Sequence, residues 1–439
     1  MLIDFSFSNF KSFRDEQSFS MTRDKRFKEP EASDCSAVTA VYGANASGKS
    51  NFLEALRVMR DMVSNSYIYG DKASSIPRDP FLLGTDTAEQ PSMFFAEFIA
   101  ENRLKYQYFF RYDSRNILDE ELTFFKDLGG RPSTHSSLLF SRDENGEVRF
   151  GAMFKGPKSQ VRKTVALRPN ALLLSAAAAA GIESVQPAFS FFKNDIACYE
   201  SRAFEQEQPR LNEEFKNHTD FAEKIAALMK YADFGITEVK SVPVAVPPEV
   251  VDQFTENMQQ QFGADKAKVA EFFSISSGDQ LQFTHASKTG SAEFGMGRES
   301  VGTLAAMSFF SLALRQLSRR TITLVDEIDT SLHPTFVEEL VSLYTDPETN
   351  PHGSQLIFTT HDVSLITQTG MANRVLQPDQ IWFVEKDKDG ASELFPMTDI
   401  GGIRKDENVG RNYLKGVYGA VPSPSFHETF AQMMSGDDA

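Results

Sequence analysis

The sequence predicts an α/β protein with a parallel-sheet core, an antiparallel β lobe beside it and an inserted, mainly helical module. Three observations carry the prediction. An apolar run, Val38 to Tyr42, leads into the glycine-containing stretch GANASGKS, Gly43 to Ser50, and then into a segment of helical periodicity, Asn51 to Val63. Two further runs with the pattern of buried strands, Thr321 to Val325 and Gln355 to Thr360, end in polar clusters, Asp326-Glu327 and His361-Asp362. Residues 93–112 read as two β-rich runs around a turn at Glu101 to Arg103, with another run at Glu120 to Lys126, as expected of an antiparallel sheet.

Composition bounds the rest. A chain of 439 residues exceeds one ordinary core and implies about two or three domains or a core with a large insertion. With 41% apolar residues and 39 Phe there is ample material to bury. The longest apolar stretches, around Asn170 to Gly181 and Leu304 to Leu314, are too short to cross a bilayer. The start, MLIDFSFSNFKSF, alternates like a strand and lacks the charged and apolar blocks of a signal peptide, so a cytoplasmic protein without a membrane partner is expected. Cys35 and Cys198 stand alone, which supports neither a disulfide framework nor a zinc site. A net charge of −16 argues against a chain that coats nucleic acid with its whole surface. Two short basic clusters, Arg23 to Lys28 and Lys155 to Lys163, could contribute to a local basic groove but read first as solvated loop faces.

Taken in order, residues 1–45 read as strands, with a turn around Asn9 to Asp15. Phe52, Leu53, Leu56 and Met59 form the buried face of the helix after the glycine loop. Gly129 to Lys163 is polar and reads as loop. Asp220 to Tyr231 and Pro248 to Phe273 read as amphipathic helices, with no heptad run long enough for a coiled coil. Leu281 to His285 is a strand, Ser300 to Thr303 opens the apolar helix Leu304 to Leu317, and Glu385, Asp387 and Asp389 belong to a charged hairpin turn.

The chemistry gathers at the strand ends. A strand, a glycine loop and a helix start present successive backbone N–H groups to phosphate, with Lys49 able to reach β- and γ-phosphates and Ser50 able to ligate Mg²⁺. At the C-terminal edge of a parallel sheet, Asp326 can hold Mg²⁺ and Glu327 can polarise an attacking water. His361, at the mouth of a neighbouring strand, can hydrogen-bond a γ-phosphate or that water. Ser300 and Gly302 at a helix start read first as an N-cap and a tight turn.

In this combination the motifs resemble those of ABC-type ATPase heads, in the branch that includes SMC proteins and their DNA-repair relatives. GANASGKS is similar to that family's Walker A, LVDE to its Walker B, Asp329 in IDTSLHP to its D-loop and His361 to its switch histidine. ESVGT stands at the signature position, keeping Ser300 and Gly302 but little else of the LSGGQ-like wording. NASGKSN, ESxGT, DEIDxSLHP and TTHD resemble more closely the stand-alone bacterial ATPases of phage-defence and abortive-infection systems, among them Rlo- and Abi-type ATPases and the ATPase subunit of the PARIS system. The stretches Asp379 to Phe395 and Asn412 to Pro422 are similar to that branch too. The resemblance covers roughly residues 1–125 and 280–425.

What the resemblance implies is an ABC-ATPase head, a P-loop NTPase fold, divided into residues 1–125, an insert at 126–279 and residues 280–439. It implies ATP and Mg²⁺ as cofactors, with Ser50 and Asp326 at the metal and Glu327 and His361 as catalytic residues. Gly43, Asn45, Gly48, Lys49, Ser50, Asn51 and Asp329 would contact nucleotide, and Ser300 and Gly302 of a second copy would cap the γ-phosphate. The assembly would be a homodimer or a higher even-numbered homo-oligomer. The implied role is an ATP-hydrolysing switch subunit of an anti-phage system, answering a phage-derived trigger and controlling a separate effector, a Toprim-like or other nuclease. The stretch after His361 is too short for the Toprim domain fused to related heads. The alternative is an SMC or recombination-repair-like DNA-maintenance ATPase, which calls for long coiled coils or a strongly basic face; direct DNA binding stays open.

Overall fold

The computed structural model describes residues 1–28, 33–69, 75–200, 204–232, 235–243, 279–368, 374–403, 407–422 and 426–435, with single positions between 244 and 278. Most of Pro248 to Phe273, expected as helices, lies outside the described residues. The elements run β1 (Leu2–Ser8), β2 (Gln17–Ser20), β3 (Val38–Gly43), α1 (Lys49–Tyr69), β4 (Ser92–Ile99), β5 (Lys105–Tyr112), β6 (Ile117–Asp127), β7 (Pro132–Arg142), β8 (Val148–Phe150), α2 (Lys158–Leu167), α3 (Leu173–Ala179), α4 (Gln186–Asp195) and β9 (Ile196–Glu200). They continue as α5 (Phe204–Asn217), α6 (Thr219–Tyr231), β10 (Ile236–Pro243), β11 (Asp279–Ala286), β12 (Ser291–Gly295), α7 (Val301–Leu317), β13 (Ile322–Asp326), α8 (Pro334–Thr345), β14 (Gln355–Thr359), β15 (Ile381–Lys386), β16 (Ser392–Pro396), α9 (Val409–Leu414) and α10 (Phe426–Ser435).

The chain divides into two compact units, one of Met1–Glu200, Gln316–Asp329 and His333–Ala439, the other of Ser201–Arg315 and Thr330–Leu332. These limits fall at other places than residues 125 and 279, where the sequence pattern draws its bounds.

In the first unit a six-stranded sheet has the order β16-β15-β3-β14-β13-β9. Its neighbours are parallel except for the β15–β16 hairpin. Every residue of β3 is buried, as expected of a strand covered on both faces. Alternation along β13 shows how. Ile322 and Leu324 share a core with Phe52, Leu56 and Met59 of α1, whereas the hydroxyl of Thr323 between them meets that of Tyr344 on α8 at 3.1 Å. Thus α1 and α8 cover opposite faces.

A seven-stranded antiparallel sheet, β2-β1-β4-β5-β6-β7-β8, lies in the same unit. The strict in-out burial of β4 and β5 is the mark of a sheet packed on one side. Phe5 and Phe19 from this sheet reach Phe52 of α1, with ring centroids 6.4 Å and 4.9 Å apart. The backbone of Leu2 is bonded in both directions by the buried amide of Gln355 on β14, at 2.7 and 2.9 Å. The stretch Gly129 to Lys163, read from its polarity as loop, instead supplies β7, β8 and the start of α2. The first half of β7 is largely exposed and held by ladder bonds to β6, so it carries no apolar alternation for sequence to display.

One buried carboxylate organises the joint between this sheet and the helices. Glu120, 1% exposed, accepts from Tyr108 Oη at 2.9 Å, from Arg142 at 3.0 Å and from the backbone N–H groups of Leu173 and Leu174 at 2.7 and 2.9 Å. It therefore caps α3 from a distant strand.

The second unit holds α5, α6, the sheet β10-β11-β12 and most of α7. Arg315 of α7 bonds Glu214 of α5 at 2.8 Å, and His285 of β11 meets Glu299 at 2.8 Å. The insert is thus partly helical and partly β among its described residues.

Candidate active site

The glycine loop leaves β3 and enters α1. A Cβ on Gly43 would stand 2.5 Å from the carbonyl oxygen of Val384, and one on Gly48, at φ +118°, would stand 2.6 Å from Ser392 Oγ and 2.8 Å from Ser12 Oγ. Neither position tolerates a side chain. Ser47 N donates to Ala44 O at 3.2 Å, and Ala46 adopts the left-handed region at φ +61°. Asn45 is exposed at the loop tip.

Lys49 is the buried cation of the loop, 7% exposed, donating to the carbonyls of Gly43 and Ala44 at 3.0 and 3.1 Å. Its ammonium also meets His361 Nε2 at 3.1 Å. An ammonium only donates, so Nε2 is the acceptor and the imidazole proton sits on Nδ1. Burial draws the Lys49 pKa below its ordinary value, against the upward pull of Asp326, Glu327 and Asp329. Burial and the Lys49 charge lower that of His361, which keeps the ring neutral.

The metal-type residues meet across two elements. Ser50 Oγ donates to Asp326 Oδ1 at 3.1 Å, and Thr359 Oγ1 donates to the same oxygen at 2.6 Å. Thr359 in turn accepts from Glu327 N at 2.7 Å. Glu327 has φ +52°, a left-handed conformation that costs a non-glycine residue about 1–3 kcal/mol and turns the chain directly after Asp326. Asp329 accepts from Thr360 Oγ1 at 2.7 Å and faces the His361 backbone N–H at 3.4 Å. Thr359 and Thr360 are the residues that sequence reading passed over. Their signal was present as the hydroxyl pair in TTHD, next to the histidine that drew attention.

The structure therefore brings Gly43, Asn45, Gly48, Lys49, Ser50, Asp326, Glu327, Asp329 and His361 to one edge of the parallel sheet. Asn51 follows in the first turn of α1, but its side chain is engaged with Ser12 Oγ at 2.8 Å. Ser300 and Gly302 lie in the second unit. There Ser300 Oγ accepts from Thr303 N at 3.0 Å, which is the N-cap expected of it, and a Cβ on Gly302 would stand 2.8 Å from the Ser331 carbonyl. Phe10 is buried in the aromatic core, Arg14 faces Asp15, Asp387 and Asp389, and Gln107 is bonded to Glu97 within the antiparallel sheet.

These residues fit a triphosphate with a divalent cation. The first-turn N–H groups of α1 have no carbonyl of their own helix to bond, and the buried Ser47 Oγ has no partner among the described residues. Among the described residues no cluster of three or more His, Cys, Asp or Glu could hold a metal by itself. A cation here would take Ser50 and Asp326 and complete its shell from phosphate and water.

A glycine loop between a buried parallel strand and a helix, carboxylates at the end of a second strand and a histidine at the end of the strand between them form a P-loop nucleotide site of the AAA class. The family described as "AAA domain, putative AbiEii toxin, Type IV TA system" matches residues 38–367, and the chain belongs to it. Among solved structures, the SMC head domain from Thermotoga maritima is 11% identical, with 90% of this chain and 98% of that one covered and a TM-score of 0.39. The recombination mediator protein RecF-ATPrS of the RecFOR pathway is 10% identical over 90% and 98% at 0.38, and the Smc head with coiled coil and joint from Pyrococcus yayanosii 13% identical over 95% and 99% at 0.35. No curated protein matches the sequence. No described helix is long and apolar enough to cross a membrane.

Proposed function

We propose that this chain binds and hydrolyses ATP as the switch subunit of a bacterial anti-phage system, its heads pairing across shared nucleotide and controlling a separate effector, a nuclease. The observation that carries the ATPase reading is the double contact across the sheet edge, Ser50 with Asp326 and Lys49 with His361, both at 3.1 Å. The family's description, with its AbiEii toxin, supports a setting in abortive infection.

The loop amides of residues 43–50 and the Lys49 ammonium would bind the phosphates, and Ser50 with Asp326 would hold Mg²⁺. The bound cation would neutralise charge on the phosphates. Lys49 must swing from the Gly43 and Ala44 carbonyls to do so. Glu327 would orient water and accept its proton, and neutral His361 would bond the γ-phosphate or that water. Thr359 and Thr360 position Asp326 and Asp329. Ser300 and Gly302 of a second copy would close the site with the positive end of α7. Release of phosphate would loosen the pair, so the output is assembly state.

The test is phosphate release by the purified chain. Lys49→Ala and Glu327→Gln should each lose turnover about 100-fold or more. Glu327→Gln should retain ATP and remain assembled in light scattering, while Lys49→Ala should do neither. Equal loss of nucleotide by both variants would sink the shared-site reading. Mass analysis of the complex purified from its native operon tests the effector, and a lone chain would remove that part.

A further inference from the structure

The two basic clusters of the sequence have different fates in the fold. Arg23 to Lys28 is neutralised on the spot: Arg23 pairs with Asp379, Arg26 with Asp24 and Lys28 with Asp34. Lys155 to Lys163 is not. Residues 148–182 contain six Lys or Arg and no Asp or Glu, in a chain of net charge −16. Of the nearby carboxylates, Glu120 is paired with Arg142, Asp119 and Glu144 with Arg111, and Glu147 with Arg149, while Glu183 lines the cavity beside Lys155 without pairing with it. Among the described residues, Lys155, Lys158, Arg162 and Lys163 form no ion pair. They are exposed or half-buried, on α2 and the loop before it. Arg162 and Lys158 converge over the half-buried Phe150 ring, at 5.0 and 5.9 Å from its centroid, which holds them on one side of the helix. The first turn of α2 has no acidic residue and Pro157 at its N-cap offers no acceptor, so the positive helix end adds to the same field.

We propose that this face of the antiparallel lobe, Lys155, Lys158, Arg162 and Lys163, binds the phosphate backbone of nucleic acid without regard to sequence. Charge complementarity selects the class of partner, because unpaired cations on a strongly acidic protein are a localised anion site. A lipid surface is the poorer fit. The apolar residues Val161 and Val165 of α2 face the core, leaving no apolar stripe to enter a bilayer. The proposal is independent of ATP turnover, and its failure leaves the ATPase reading untouched.

The experiment is fluorescence anisotropy of a labelled 20-base-pair duplex with the full chain, without nucleotide, across a salt series. Wild type should bind with a log–log salt slope of about −3 to −4, roughly one per cation engaged. The triple variant Lys155→Gln, Lys158→Gln, Lys163→Gln should weaken binding about tenfold or more and flatten the slope by about three. Arg26→Gln, in the neutralised cluster, should leave both unchanged. Circular dichroism establishes that the variants are folded, and charge reversal at Lys163 alone, Lys163→Glu, supplies a milder second variant expected to weaken binding. Absence of duplex binding by wild type, equal binding by the triple variant, or binding to phosphatidylserine vesicles in place of duplex would each overturn the proposal.

Discussion

At the scale of single residues, the pairing of a lysine with a neutral histidine sets a pH dependence. His361 has its pKa lowered by burial and by the Lys49 charge, so the folded chain binds this proton less readily than the unfolded chain does. Stability from this group is therefore complete above the ordinary histidine value of about 6.5 and declines as pH falls through and below it, because the unfolded state takes up the proton first. Thermal unfolding of the nucleotide-free protein should show a lower midpoint at pH 5.5 than at pH 7.5. In His361→Gln, which keeps an acceptor for the Lys49 ammonium but cannot titrate, part of that decline should disappear. An identical decline in the variant would show that other groups cause it. The residue scale is also where sequence reading reached furthest: the identity of Lys49, Ser50, Asp326 and His361 as a set was legible from motif spacing. Thr359 was not, because a threonine at a strand end is ordinary until its hydroxyl is seen between Asp326 and Glu327 N.

Elements are held by polar joints as much as by apolar faces. Glu120 lies on β6 yet caps α3, and Arg142 on β7 shares the same carboxylate, so two strands and a helix depend on one buried ion pair. Arg142→Met should leave Glu120 as an uncompensated buried charge and lower unfolding stability by about 3 kcal/mol in urea titration. Adding Glu120→Gln to it should recover part of that loss. If the single variant costs under about 0.5 kcal/mol, within the range of surface substitutions, the pair is not the joint described. None of this was legible in the chain, where Glu120 reads as one polar residue in a β run. The periodic elements were legible: α1, β4, β5, α6, β11 and β14 fall close to where alternation or helical spacing puts them. The hairpin β7–β8 escaped because its pairing is carried by backbone bonds, which leave no pattern in side-chain polarity.

For the whole molecule, the proposed shared site makes a prediction that no single chain could satisfy alone. Ser300→Arg should abolish turnover while its own loop still binds ATP, and Lys49→Ala should abolish it by emptying the loop. Mixed in equal amounts, the two inactive variants should regain up to about half of wild-type turnover, since a mixed pair keeps one intact site of two. No recovery on mixing, under conditions where subunits exchange, would count against sites built from two copies.

Sequence alone made the phosphate loop legible, because such a loop is a local device: a few consecutive residues between a strand and a helix present N–H groups, a lysine and a hydroxyl, and their spacing is readable in one dimension. It could not settle what stands opposite that loop. Asp326, Glu327 and His361 are about 280 to 310 residues away in the chain, and only the parallel order β3-β14-β13 brings them to the edge where Lys49 and Ser50 wait. Tertiary structure likewise decided which charges remain free. In Arg23 to Lys28, Arg26 and Lys28 meet the neighbouring Asp24 and Asp34, but the partner of Arg23, Asp379, arrives from 356 residues away, and no carboxylate is brought into an ion pair with Lys155, Lys158, Arg162 or Lys163 among the described residues.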